Sequence, residues 1–226
     1  MAEVSITNAI SNIKRNDPIM GQVIDVVGDY RLAVDKSPFR MLIRSIAGQQ
    51  LSVAAAGTIW YRFLTTNGGR RVSPNSLAKL TDDSLRNAGL SHAKIRSIRN
   101  IQDAFSSRAY SVSKLRKLPN EEISNQLQQL KGIGPWTADM FLMFAIGRLD
   151  VFPVGDLGIA NAIELFYGFD GRPGSEAMNL IADKWSPYRT IASWYCWQGL
   201  DYARLHNWRP SPRRNSQKLT NYVIDD

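Results

Sequence analysis

Leu130-Lys131-Gly132-Ile133-Gly134-Pro135-Trp136-Thr137-Ala138 is a turn set between two helical patterns, and the rest of the chain can be read outward from it. Gly132 and Gly134 bracket one apolar residue, Ile133, and carry no Cβ, so a backbone here can come very close to another molecule. A glycine helix C-cap is the plainer account of this pattern. The context adds to it, because the next helix begins at Pro135. That gathers the backbone N–H groups of Gly134, Trp136 and Thr137 at a positive helix N-terminus, a ready place for a phosphate. Lys131 contributes a point charge. Trp136 reads either as core packing or as a ring on which a base stacks, a contact worth about 1–3 kcal/mol.

Downstream, Asp150-Val151-Phe152-Pro153-Val154-Gly155-Asp156 ends in an isolated carboxylate ahead of another apolar helical pattern. Asp156 reads as the N-cap of that helix. A carboxylate in that position can also stabilise a positively charged transition state or orient water against it. The two readings are compatible.

Composition narrows the classes. The chain has 226 residues, is 44% hydrophobic and carries a net charge of +8. That suffices for one large domain or two small ones, and the charge favours a polyanionic partner such as nucleic acid. The single cysteine, Cys196, excludes an internal disulfide and a four-cysteine zinc or iron–sulfur site. His92 and His206 stand apart, which argues against a histidine metal site. The N-terminus has no signal-peptide pattern and no run of about 18 apolar residues occurs. The expectation is an intracellular, membrane-free monomer, nuclear in a eukaryote and cytoplasmic or nucleoid-associated in a prokaryote.

Along the chain, apolar spacing predicts a helix over residues 5–15 and another starting at Asp17-Pro18 and closed by Gly28. Ser37-Pro38 opens a helix that stops at Gly48-Gln49-Gln50-Leu51, and Ser52 can cap the next. Gln49 and Gln50 either satisfy orphan backbone groups of two helix ends or project toward a duplex. Further starts lie at Ser73-Pro74, Thr81-Asp82-Asp83, Gly89-Leu90-Ser91 and Leu118-Pro119. Seven basic residues between Ser91 and Lys117 (Lys94, Arg96, Arg99, Arg108, Lys114, Arg116, Lys117) face one acid, Asp103. Such a run is either a solvated face or a phosphate-facing one. Ser186-Pro187-Tyr188 opens a last helix rich in aromatics, mostly core. From Tyr202 a basic, Pro- and Ser-containing tail is expected to be partly disordered. No strand, repeat or linker stands out, so the fold class is all-α.

The hairpin stretch 130–138, the Pro153-Val154-Gly155-Asp156 ending and Ser45-Ile46-Ala47-Gly48-Gln49-Gln50-Leu51-Ser52 together resemble the helix-hairpin-helix DNA glycosylase superfamily, most closely its 3-methyladenine DNA glycosylase II branch. The similarity runs from about Ser37 to Tyr202. It implies two helical lobes with a central cleft: residues 1–36 packed with the C-terminal helices, a lobe of about 37–145 ending in the hairpin 130–135, and a basic tail over 203–226. It implies a hairpin (Lys131, Gly132, Ile133, Gly134, Trp136, Thr137) that grips the backbone of double-stranded DNA carrying alkylated bases or abasic sites. No cofactor is implied beyond a sodium or potassium ion held by hairpin carbonyls. The target base would be flipped out into a pocket walled by Trp136, Met140, Tyr188 and Phe39. Asp156 would be the essential acid. Gln50 would wedge into the duplex gap, with Gln49, Leu51 and Ser52 at the same loop, and Ser91 and Lys94 would make a secondary backbone contact. Lyase members carry a lysine where Trp136 stands, so the resemblance implies a monofunctional enzyme that excises 3-methyladenine and 7-methylguanine types of base. The competing expectation is a damage- or abasic-site-binding protein on the same fold with little catalysis. A helix-turn-helix reader is disfavoured because the helix after Pro135 is too apolar to read bases.

Overall fold

The computed structural model describes residues 5–69, 71–107 and 110–211. Among the described residues every regular element is helical. In chain order, the first are α1 (Ile6–Asn16), α2 (Pro18–Val27), α3 (Pro38–Gly48), α4 (Val53–Thr66) and α5 (Pro74–Leu77). Then follow α6 (Asp82–Asn87), α7 (His92–Ser106), α8 (Val112–Leu115), α9 (Asn120–Gln128) and α10 (Pro135–Phe141). A π-helix, Leu142–Ile146, continues α10, and α11 (Leu157–Tyr167), α12 (Ser175–Ala182), a 3-10 turn Asp183–Trp185 and α13 (Arg189–His206) complete the set. No helix of the described residues is long and apolar enough to cross a membrane.

The chain divides into two compact units, one formed by both chain ends (through Ala33 and from Arg148) and one by Val34–Gly147. In the first unit, α13 packs on α2 and α11, and α1 packs on α2. Its core holds Ile13, Met20, Val23, Ile163, Phe166, Trp185, Tyr195 and the buried, unpaired Cys196. Gly199 lets α13 approach α2, since a Cβ there would stand 2.4 Å from Val23 Cγ1. Asp17 is 2% exposed and knits this unit together. Its Oδ1 accepts from Ile19 N (3.0 Å) and Met20 N (3.1 Å), capping α2. Its Oδ2 accepts from Tyr167 Oη (2.5 Å) and Trp185 Nε1 (3.0 Å). Burial, with the nearby Asp17 charge, holds the Tyr167 phenol well above its usual range.

The tail expected from Tyr202 onward is ordered further than its composition suggests. Helix α13 runs to His206, Trp208 sets its ring edge-on against Phe166 (6.4 Å) and Tyr202 (5.9 Å), and Ser211 exchanges two hydrogen bonds with Gln22 (2.8 and 2.9 Å). Apolar ring packing outweighs local Pro and Ser content. Arg213, Arg214 and Lys218, and Arg108 of the earlier basic run, lie outside the described residues.

In the second unit, α3 packs on α4, α7 and α10, and α9 packs on α10. The helix expected to begin at Pro135 widens at Leu142. Gly147, at φ 78°, closes the π-helix by donating its N–H to Leu142 O. Phe144 O accepts from Asp35 N (2.6 Å) and Ala145 O from Arg116 (3.2 Å), so carbonyls near this end find donors outside the helix.

Candidate functional site

The hairpin is held in place from two sides, both within the second unit. Lys131 N donates to Asn100 Oδ1 of α7 (2.8 Å). The Gln49 amide, at the end of α3, donates to Gly132 O (3.0 Å) and to Thr137 Oγ1 (3.2 Å). Ile133 is 5% exposed and points into the core.

The two glycines do different work. Gly132 has φ +87°, and a Cβ there would lie 2.3 Å from Ser97 Oγ and 2.7 Å from Ser97 Cβ. Its lack of a side chain is demanded by the turn and by α7. Gly134, the N-cap of α10, has φ −99° and ψ 179°, open to any residue, and nothing lies within 4 Å of a Cβ added to it. Gly134 brings no side chain of its own to cap α10. The Gly134 surface is therefore open to an outside group. Lys131 is exposed beside it, and Trp136 is 39% exposed.

The α3–α4 turn shows where the adjacent glutamines part company. Gln49 is spent inward, on the hairpin. Gln50 is exposed with φ +58°, a left-handed conformation costing about 1–2 kcal/mol for a residue with a Cβ. Leu51 is 39% exposed beside it. Ser52 is exposed and caps α4 by accepting from Ala55 N (3.3 Å). Gln50, Leu51 and Ser52 are thus exposed together at the turn, and Gln49 ties the turn to the hairpin.

Part of the basic run is structural. Lys94 donates its ammonium to Ala47 O (2.8 Å), near the C-terminal end of α3, and burial lowers its pKa. Arg99 binds Leu77 O, Leu80 O, Asp82 and Gln102, tying α5 and α6 to α7. Ser91 caps α7 by accepting from Lys94 N (3.3 Å) and stays exposed. Phe39 and Met140, expected as pocket walls, are each 6% exposed, Phe39 against the Phe105 ring (5.4 Å).

In the first unit, Asp156 sits at the N-cap of α11. One oxygen, Oδ1, accepts both the Ile159 backbone N–H (2.9 Å) and the Trp197 indole Nε1–H (2.9 Å). Gly158 makes room for this, since a Cβ there would fall 3.0 Å from Trp197 Cδ1 and 3.1 Å from Asp156 Oδ1. The loop leading to Asp156 is clamped to the start of α13. Arg189 grips Asp150 with two side-chain hydrogen bonds (2.7 and 2.8 Å) and its backbone N–H (3.2 Å). Burial alone would raise the Asp150 pKa, but the Arg189 contacts outweigh it and lower it. Thr190 Oγ1 accepts from Val151 N (3.0 Å) and donates to Arg148 O (2.8 Å). Tyr188 is partly buried against this unit's core. Sequence reasoning reaches Asp156 but not Trp197, which reads as one core aromatic among several. No local pattern links residues 41 apart.

Such a fixed carboxylate can stabilise developing positive charge or hold a water, and such an open helix start can take a phosphate. This is the equipment of a nucleic-acid-handling all-α protein. The family model "HhH-GPD superfamily base excision DNA repair protein" matches residues 43–187. The chain is 33% identical over 199 residues to DNA-3-methyladenine glycosylase 1 of Schizosaccharomyces pombe, covering 86% of this chain and 87% of that one. Among solved structures, S. pombe Mag1 in complex with abasic DNA superposes with a TM-score of 0.80 at 31% identity, covering 89% of this chain and 98% of that one. The DNA-3-methyladenine glycosidase of Bacillus halodurans gives 0.77 at 33% identity, covering 88% and 91%. The chain belongs to the HhH-GPD superfamily of base excision DNA repair proteins.

Proposed function

We infer that this protein is a monofunctional DNA glycosylase that hydrolyses the N-glycosidic bond of alkylated purines of the 3-methyladenine and 7-methylguanine types. The observation that carries this is the Asp156 carboxylate, held through Oδ1 by Ile159 N–H and Trp197 Nε1–H, in a chain whose 33%-identical relative is named a 3-methyladenine glycosylase. The damaged nucleotide is flipped out of the duplex, with Gln50 and Leu51 entering the gap and the base stacking on Trp136. The open Gly134–Thr137 helix start and Lys131 take the DNA backbone, and Ser91 adds a second phosphate contact. A ring-alkylated purine is a good leaving group because it departs as a neutral base. As the C1′–N bond breaks, its electron pair goes to the base and the sugar gains oxocarbenium character. Asp156 stabilises that charge. Water adds to C1′ and gives up a proton, leaving an abasic site. Trp136 offers no amine for a Schiff base, so strand cleavage does not follow.

A sodium or potassium ion, if bound, would be held by backbone carbonyl oxygens of the hairpin, the donor type such ions take, while Gly132 O already accepts from the Gln49 amide. Among the described residues no group of three or more His, Cys, Asp or Glu could hold a metal ion instead.

Base release from methylated DNA, intact protein against Asp156→Asn, tests the reading. A fall of at least about tenfold, roughly 1.4 kcal/mol of barrier, supports it. No release by the intact protein, with tight binding to an abasic duplex, makes it a damage-binding protein instead.

A further inference from the structure

The hairpin helix leaves little of itself uncovered. In α10 the side chains of Thr137, Ala138, Met140 and Phe141 are buried. What remains is Pro135 and Trp136, exposed, and Asp139, partly so. Residues three apart in a helix share a face, with Cβ atoms about 5–6 Å apart. Asp139 therefore stands one turn along from Trp136, on the stripe where the indole is uncovered, and it is the one titratable side chain of α10.

Asp139 takes part in none of the ion pairs found among the described residues, and no hydrogen bond to its carboxylate is found there. The elements packed on α10 bring Arg40 and Arg44 from α3 and Glu121 and Glu122 from α9, while the π-helix brings no charge. Arg40 is already committed to Asp35 (2.9 Å). Burial pushes the Asp139 carboxyl up to about 6. A desolvated acid without a cation costs free energy in the isolated protein. That cost is offset when a cation arrives from outside.

We propose that Asp139 is a specificity-determining residue whose carboxylate selects positively charged, ring-alkylated purines as they stack on Trp136. This rests on the glycosylase reading above and names how its substrate is told from neutral bases. Stacking on an indole accepts any purine face and adds a cation–π preference for a charged one, to which a carboxylate one turn away adds a second. Methylation of a ring nitrogen adds a delocalised positive charge that undamaged purines, hypoxanthine and ethenoadenine lack. The charge disappears from the base as the glycosidic bond breaks. The preference therefore falls on binding and not on the chemical step.

The experiment compares intact protein with Asp139→Asn on duplexes holding one ring-methylated adenine, whose charge does not titrate near neutrality, or one ethenoadenine. Single-turnover release gives the half-saturating concentration and the limiting rate, and competition binding gives the same charge ratio without turnover. The expected result is a roughly tenfold loss of preference for the charged base (about 1.4 kcal/mol), seen in half-saturation, with the limiting rate on that base held or raised, because the contact weakens as the base loses its charge. In the intact protein the preference should also fall as the pH drops through about 6, and in Asp139→Asn it should be flat. That pH series needs no variant to fold. Equal effects on both lesions, or a preference independent of pH in the intact protein, would overturn the proposal. Failure of the glycosylase reading looks different: the intact protein releases no base, while the competition ratio still reports on Asp139.

Discussion

Replacing Gly132 and Gly134 by alanine, one at a time, should separate packing from recognition within three residues of chain. At Gly132 the backbone has φ +87°, which costs an L side chain about 1–2 kcal/mol. The added Cβ also meets Ser97 Oγ at 2.3 Å and Ser97 Cβ at 2.7 Å, an overpacking of about 1–3 kcal/mol. Together these give roughly 2–5 kcal/mol, or about 4–20 °C in Tm for a chain of this size. Adding Ser97→Gly should recover the steric share and leave the backbone share. At Gly134 the conformation suits alanine and no atom lies within 4 Å. Stability should therefore change by no more than about 1 kcal/mol either way, a less flexible unfolded chain offsetting the exchange of a glycine for a poorer N-cap residue. The methyl group would instead stand between a phosphate and the helix N-terminus. Losing one charge-assisted hydrogen bond, about 1.5–3 kcal/mol, weakens binding roughly tenfold to a hundredfold. Thermal melting and titration of an abasic-site duplex read the two effects separately, and the loss should be alike across DNA sequences. A Gly134→Ala protein that melts several degrees lower, or that binds the duplex as tightly as the parent, would refute the division of labour.

Three further outcomes follow from the same geometry. Trp197→Phe keeps an aromatic ring, though a smaller one, and removes the Nε1–H that holds Asp156 Oδ1 at 2.9 Å. It should slow single-turnover release about tenfold, near 1.4 kcal/mol, while abasic-duplex affinity stays level, and an unchanged rate would show that the indole does not aim the acid. Asp17→Ala removes the α2 cap, about 1 kcal/mol, and strands the Tyr167 hydroxyl and the Trp185 indole N–H at about 1–3 kcal/mol each. Chemical denaturation should show a loss of roughly 3–7 kcal/mol; less than about 1 kcal/mol would mean those donors find other partners. Trp136→Lys should not create efficient strand cleavage, because a lyase needs its amine placed on the sugar, and strong borohydride trapping to DNA by this variant would contradict the stacking role.

Some of the site was legible residue by residue. Asp156 announces itself as a cap before an apolar helix, and it is one, through Ile159 N. Ser52 and Ser91 likewise cap the helices that follow them, because capping is settled within three residues. Sequence leaves Gln49 open between satisfying backbone groups at a helix end and reaching for DNA, and Lys94 open between a solvated face and a phosphate-facing one. The structure turns both inward, onto Gly132 O and Ala47 O. A polar side chain near a helix end satisfies whichever backbone carbonyl the neighbouring element brings within reach, and sequence does not say which element that is. Gly132 and Gly134 formed one motif on paper. Only the position of Ser97, on another helix, distinguishes them.

The amino-acid sequence by itself determined the helices, most of their starts and the class of partner, because apolar periodicity, caps and net charge act over a few residues or over the whole chain. Tertiary structure alone decided that Trp197 holds Asp156 across 41 residues, that Gln49 braces a hairpin 83 residues away and that the C-terminal segment docks on Gln22. Those pairings depend on which helix faces pack together, and that is settled by burial of the whole core and not by any local run of residues.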